Sequence, residues 1–592
     1  MSSPSAFRRA VVPRSLTPVR IALLPALLPV VLVAGLCLAA ASSRAVAQSI
    51  DPLEATRRIA RGGAVELALA RVEANQPRDV AGPRWTDWEA LRLSLLNRLG
   101  RHEDALRRAA ALPAQGLAPA PERALRLEAA RAAVAAGRGV DARGHLARLL
   151  WTLQPAPEDE REARLVVIDS YLADRAGEEA LRAMLRFQLD HQPLDRAIAA
   201  RFVDGLLRVG LDKEAVNWLA LVDEQTPPGL LLRLRTGLVQ PAAAAALART
   251  QLGRAPSADW WAVVLQAGAL QKQPALQVEA LEQMLQLARG SADRELPARV
   301  DALWGAYATA AQDHANQNQL LVGDDAGWFD RASRSLGQSP AIARALFGAL
   351  VRGARSPETQ RSSQLQLVFS LEQSGLGAVA VRLFNDAQRF PVGSIDPQAR
   401  VVLGQAAAAA GLHATAARFW RGLAAPPGVT AEDWALRTAT AFYRAADLDA
   451  GSKALLPLLD SRRALPQDLV ARLVTLAGEL LDAGRAAAGG ELLARLLPQV
   501  EGAQRREALG LLARSAERQS DFRAAADHQL HAATLGDGGA VDSASVALRL
   551  QAAGNLARAG LREDARAVYE WVLRNVKDAA ALEAARRDLR RL

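Results

Sequence analysis

One phrase recurs through this chain at intervals of about 36 residues, and a repeat of that length constrains the fold more than any other feature. In the C-terminal half it reads "SGLGAVAVRLF", "AGLHATAARFW", "AADLDAGSKAL", "AGRAAAGGELL", "QSDFRAAADHQL" and "AGLREDARAVY". Its turns, at 375, 411, 446, 484, 520 and 560, step by 36, 35, 38, 36 and 40. The N-terminal half repeats it in "LGRHEDALRRA", "AGRGVDARGHL", "DRAGEEALRAM" and "VGLDKEAVNWL", with turns at 100, 137, 175 and 210. A turn residue, usually glycine, ends one helix in a left-handed cap, and an acidic residue near the start of the next complements its dipole. Five residues after the turn a small residue lets two helices approach. Nine after it a large one fills the space: Leu219, Phe384, Trp420, Leu455, Leu493 and Tyr569. Small opposite large is how a helical hairpin packs, and stacked hairpins make a solenoid.

The pattern resembles the tetratricopeptide-repeat family. It is clearest around 361–394, where Leu367, Leu371, Ala380, Phe384 and Ala387 stand at the signature positions and Pro391 lies one residue from the family's proline. Around 397–428, Leu403, Gly404, Ala416 and Trp420 match and Ala407 replaces an aromatic; in the last repeat Ala553, Leu556, Ala565 and Tyr569 match and Val572 departs. The resemblance covers roughly 85–225 and 361–580. It implies an all-α, TPR-like α-solenoid of about 13–15 antiparallel hairpins. Composition agrees: aromatics are 4% of the chain, and Ala, Leu and Arg, all good helix formers, dominate it. The sequence divides into N-terminal repeats over 48–225, a divergent helical region over 226–360 with a long helix near 297–322, and C-terminal repeats over 361–592.

Residues 1–47 read as an export signal: Arg8, Arg9, Arg14 and Arg20 precede the uncharged run 21–41, and Ala45-Val46-Ala47 suits a signal peptidase. Cleavage is expected between Ala47 and Gln48, placing the mature chain in the periplasm; an uncleaved inner-membrane anchor is the competing reading. Leu36 before Cys37 departs from a lipoprotein signal. Loss of the five arginines of 1–47 takes the formal charge from +10 to +5 and removes the only cysteine, which excludes disulfides and thiolate chemistry in the mature chain. With only 4 lysines among 73 basic residues, the arginine excess reads as coding bias of a GC-rich Gram-negative bacterium. No nucleic-acid partner is expected, nor any membrane span after the signal.

No HExxH, GxSxG or P-loop pattern occurs. Gly137-Arg138-Gly139 follows a helix where a dinucleotide site requires a strand. His528 and His531 with Asp527 share a helix face, a pair commonly incidental rather than a metal site. No catalytic residue, metal or cofactor is therefore expected. The feature left over is "DHANQNQLLVGDDAGWF", 313–329. Gly323 reads as a left-handed cap and Asp324 or Asp325 as the cap of the next helix. Trp304, Ala308, Ala311, Ala315, Asn318 and Val322 form one helical stripe, with Tyr307 and His314 beside it. Two readings follow. Either the polar residues are satisfied within the core, or Trp304, Tyr307, His314, Asn318 and Trp328, with Trp260 and Trp261 near them in sequence, line a groove for a peptide or glycan. The chain as a whole reads as a non-enzymatic envelope scaffold for protein partners. The alternatives are an accessory of polysaccharide export or outer-membrane assembly, and an envelope enzyme built on a helical scaffold.

Overall fold

The computed structural model describes residues 51–592 apart from 81–83, 113–116, 289–294, 315–318, 320–321, 461–463 and 536–540; the expected cleavage residues Ala47 and Gln48 and the expected groove residue Asn318 lie outside the described residues. The described residues are helical, with no strand among them, and the fold is a TPR-like α-solenoid. The chain divides into two compact units, one ending at Asp190 and one beginning at His191.

The first unit is four hairpins: α1 (Pro52–Arg61) with α2 (Val65–Asn75), α3 (Trp85–Arg98) with α4 (His102–Ala110), α5 (Pro119–Ala135) with α6 (Gly139–Ala147), and α7 (Pro157–Ala173) with α8 (Gly177–Asp190). The second opens with α9 (Arg196–Val209), the short α10 (Asp212–Ala215), α11 (Pro227–Arg235), α12 (Pro241–Leu252) and α13 (Ala258–Leu270). Its middle comprises α14 (Pro274–Leu287), α15 (Leu296–His314), α16 (Asp325–Ser335), α17 (Pro340–Gly353), α18 (Pro357–Gln373) and α19 (Gly377–Phe384). A ladder follows: α20 (Pro397–Ala409), α21 (His413–Trp420), α22 (Ala431–Arg444), α23 (Leu448–Leu459), α24 (Gln467–Asp482), α25 (Ala486–Leu496), α26 (Gly502–Arg518), α27 (Phe522–Thr534), α28 (Ser543–Arg558), α29 (Arg562–Asn575) and α30 (Ala579–Leu589).

All ten turns of the phrase sit in left-handed backbone. Seven are glycines with φ between 59° and 80°, and Arg175, Ala446 and Ser520 take the same conformation at 58°, 66° and 62°. The repeat therefore dictates this geometry even where the sequence offers no glycine. The small residues five positions on, from Ala105 to Ala565, are buried. Gly404 shows why: a methyl group there would fall inside the indole of Trp420, whose Nε1 donates to the Val401 carbonyl at 3.1 Å. Of the large residues, Phe384, Trp420, Leu455, Leu493 and Tyr569 are buried, but Leu219 is only half-buried and Trp218 takes its place in the core. The reason is local: α10 passes into a 3-10 helix over Val216–Leu221, and its three residues per turn rotate the neighbouring side chain inward.

The middle of the second unit breaks the period. Arg418 in α21 donates to the carbonyls of Phe384 and Asn385 at the end of α19, and Arg382, seven residues after its own turn as Arg418 is, donates to Leu285 and Ala288 at the end of α14. Each guanidinium caps the open C-terminal carbonyls of the preceding second helix. That row of second helices thus passes from α14 directly to α19, although Arg382 and Leu285 are 97 residues apart. Between them α15, α16 and α17 are inserted, and α17 packs against α14, α15, α16 and α18. It is buried nearly all round, from Ile342 to Val351, as "AIARALFGALV" with a single charge must be. The helix expected near 297–322 begins at Leu296 and is described to His314, with Val322 in a turn.

Candidate functional site

The aromatic residues expected to line a groove are instead in the core of this inserted bundle, which corrects that expectation. Trp304 and Trp328 are 1% exposed and Tyr307 is 0% exposed. Trp304 packs edge-on to Tyr307 and Phe384, and at 5.8 Å from Phe390, so its ring closes the space between α15 and α19. Tyr307 lies against Gly348 of α17, where a Cβ would come within 2.6 Å of its ring. His314 is exposed, its Nδ1 2.9 Å from the Ala310 carbonyl of its own helix. With Asp313 it edges a cavity of about 860 Å³, bounded also by Arg249, Lys272 and Glu279. The structure therefore does not bring His314 together with the three buried aromatics. Trp260 and Trp261 are half-buried against the cluster around α12 and α13.

The hydroxyl of Tyr307 leads to a feature that sequence reasoning missed. It donates to Glu282 Oε1 at 2.8 Å, and Arg344 grips both oxygens of the same carboxylate, Nε to Oε1 at 2.7 Å and Nη2 to Oε2 at 2.6 Å. Arg344 Nη1 also donates to Ser374 Oγ at 3.1 Å. Burial pushes the Glu282 carboxyl up, against the pull of Arg344 and Tyr307, and it pushes the Tyr307 phenol well up. Arg344, held by the carboxylate, stays above its ordinary value in spite of burial. The network ties α14, α15, α17 and α18 together. It serves structure, since every charge is engaged by another helix and the groups are closed off from solvent. Glu282 and Arg344 are 62 residues apart, so no local pattern pairs them.

The remaining expected features resolve as helix chemistry. Gly323 has φ 82°, and Asp324 caps α16, accepting from Gly327 N at 2.9 Å. Asp325 is buried and accepts from the backbone N–H groups of Arg355 and Ser356 at 2.6 and 2.9 Å, fastening the next inter-helix loop. His531 lies 3.6 Å from Asp527 on an exposed face, and no group of three metal-binding side chains occurs among the described residues.

The surface most suited to a ligand is the face formed by the first helices of the ladder hairpins. At spacings of three and four, Arg437, Thr440 and Arg444 of α22 point outward, as do Arg472, Thr475 and Glu479 of α24, Glu507, Gly510 and Arg514 of α26, and Gln551, Gly554 and Arg558 of α28. Ion pairs cross from helix to helix: Arg472 to Asp433 at 2.7 Å, Arg444 to Glu479 at 2.8 Å, Arg514 and Arg518 to Asp482 at 3.8 Å, and Arg506 to Asp542 at 2.7 Å. These five arginines form rungs about one repeat apart. Exposed pairs of this kind contribute about 0–1 kcal/mol each. Two cavities open on this face. One, of about 380 Å³, is bounded by His413, Arg437, Thr440, Arg444, Arg472 and Glu479. The other, of about 660 Å³, lies between α26 and α28 and reaches Tyr569 and Asp588. Together they carry five arginines against four carboxylates.

No family model matches the chain, and no curated protein matches it. Among solved structures, the pentatricopeptide repeat protein PPR10 from maize is similar over 94% of this chain and 93% of that one, at 14% identity and a TM-score of 0.24. The APC/C hetero-tetramer Cut9-Hcn1 is similar over 90% and 95%, at 10% identity and 0.24. A circular tandem repeat protein is similar over 91% and 95%, at 14% identity and 0.11. Likeness at this level transfers no partner or activity. The chain is a helical-repeat protein on the evidence of its own hairpins.

Proposed function

We propose that this chain is a non-enzymatic scaffold that binds a protein partner along the first-helix face of its C-terminal ladder, in the periplasm of a bacterium. The observation that carries the reading is the composition of the two cavities on that face. Their charges nearly balance, and Arg444 and Arg472 are already neutralised by Glu479 and Asp433. A polyanion requires uncompensated cations along its path, whereas a folded or extended protein segment meets both signs with hydroxyl and apolar surface between them. Thr440 and Thr475, with Leu436 and Leu476, supply that surface. The periplasmic location rests on the arginine-led apolar run of residues 1–47; N-terminal sequencing of the exported protein is expected to begin at Gln48, and a chain beginning at Met1 in the membrane fraction supports the anchored alternative.

Photo-crosslinking in cells tests the binding face. A benzophenone amino acid replaces Arg437 or Thr475 on the first-helix face, and Glu491, an exposed residue of α25, serves as the control. Adducts to one partner chain from the first two positions and none from the third are expected. Adducts from Glu491 alone, or from none of the three, overturn the reading. The identity of the captured chain also decides whether the protein serves export of a polysaccharide or assembly of the outer membrane.

A further inference from the structure

The second helices of two successive hairpins in the first unit present a stripe of apolar side chains to solvent. Val140 of α6 is 69% exposed and Trp151, just beyond its end, 79%; Leu185 and Leu189 of α8 are 41% and 67% exposed. Trp151 and Leu189 stand at the same place in the repeat, 14 residues after the turns at 137 and 175, and Leu185 lies one helical turn before Leu189. At that place in other repeats the chain has Glu224, Arg389, Asp460 and Arg574. Two successive repeats thus carry large apolar groups where others carry charge, and packing within the hairpins does not use them.

The exposed indole is on a segment that the fold holds firmly. Helix α6 runs into a π-helical turn over Arg148–Thr152, closed by the Leu153 N–H donating to the Arg148 carbonyl at 3.2 Å. Arg148 Nε donates to the buried Glu122 of α5 at 2.6 Å, and Arg123 Nη1 of α5 donates to the carbonyls of Leu153 and Gln154 at 3.2 and 3.1 Å. Both ends of the turn are therefore fastened to α5. Single π-turns interrupt helix regularity and recur where a side chain must be aimed for a task.

We propose that this stripe is the contact between two copies of the chain, packed about a two-fold axis with Trp151 and Leu189 of each against the other. Area and charge both point to that occupant. The four side chains expose roughly 400–500 Å², as large as the largest apolar patch of an ordinary monomer and about half of the ~800 Å² per partner that a stable interface buries. A polar rim supplies the other half in such interfaces. Here the rim is α8 itself, where Arg182 lies 3.5 Å from Glu178 and Arg186 2.8 Å from Asp190. Its charges cancel, so it offers an anionic lipid surface no uncompensated cations. A two-fold contact uses one patch twice and must not repel itself, which a neutral rim around an apolar centre satisfies. The stripe belongs to second helices of the first unit, and the inference is independent of the first-helix binding face of the ladder.

Sedimentation velocity of residues 48–592, over a series of concentrations, compares wild type with Trp151→Ala/Leu189→Gln and with Arg437→Ala/Thr475→Ala. Expected are a reversible dimer in wild type and, in the stripe variant, a loss of dimer affinity of at least about tenfold, as removal of a central interface aromatic gives. The melting temperature of the dissociated chain should be unchanged, since both replaced side chains are exposed, and the ladder variant should dimerise as wild type does. Leu189→Cys, the only thiol in residues 48–592, should couple to its copy through a bismaleimide, and Glu491→Cys should not. A monomer at every concentration overturns the inference, and flotation of that monomer with phosphatidylcholine vesicles would assign the stripe to a lipid surface instead. A dimer that survives the stripe variant, or that cross-links equally at both cysteines, overturns it as well. None of these outcomes bears on the first-helix face, which the photo-crosslinking decides.

Discussion

The inserted bundle α14–α19 and the ladder α20–α30 are built from the same residue types and are stabilised in different ways. In the ladder each hairpin touches its neighbours, so stability is a sum of local terms, and the outward face is free to vary. In the bundle α14 meets α19 across the inserted helices, and one buried ion pair joins segments 62 residues apart. The lesson is a division of labour: the bundle fixes the course of the second unit, and the ladder carries a surface that packing leaves unoccupied. Four substitutions probe that contrast.

The largest effect is expected from Arg344→Ala. It strands the Glu282 carboxylate in the core, and losing one partner of a buried pair costs about 3–5 kcal/mol. Thermal unfolding followed by circular dichroism should show the bundle melting well below the ladder. A double replacement, Glu282→Leu with Arg344→Met, removes both charges and should recover much of the loss. A shift under about 1 kcal/mol in the single variant would remove the basis for the contrast. Gly404→Ala comes next. It drives a methyl into Trp420 at one ladder interface and should cost about 1–3 kcal/mol there, leaving the bundle transition where it was.

Smaller and opposite in sign is Ser520→Gly. A left-handed residue with a Cβ carries a penalty of about 1–2 kcal/mol, so glycine should stabilise the ladder by about 1 kcal/mol, less its own entropic cost. Smallest is Asp542→Asn. The Arg506 guanidinium first, and then the backbone N–H of Ser545, hold the Asp542 carboxyl down from 3.8 to about 2. A depressed carboxylate contributes stability above its unfolded value and loses it as pH falls between about 4 and 2. Acid titration of the melting temperature should be shallower in the variant across that window, and an unchanged slope would show that this rung contributes nothing.

The ladder was legible in the sequence because its determinants are local. A turn, a small residue five on and a large one nine on recur within one hairpin, and even Ala446 and Ser520 were located by the period rather than by their chemistry. The bundle was not legible, because what defines it is contact between distant segments. Trp304, Tyr307 and Trp328 lie near one another in sequence, which suggested a groove, but Tyr307 faces Glu282 and Arg344, partners that only the tertiary fold supplies. One clue was available: "AIARALFGALV" is apolar on every face of a helix, which requires neighbours on all sides. The 3-10 turn that exchanges Leu219 for Trp218 left no trace in the periodicity.

Hydrogen exchange of residues 48–592, followed by mass spectrometry, tests the central contrast most directly. Helices α14, α15, α17 and α19 are expected to lose protection together, as one slow cooperative unit, while protection along the ladder falls off gradually toward α30. Protection that declines evenly through both regions, or α17 exchanging faster than the ladder helices, would contradict it.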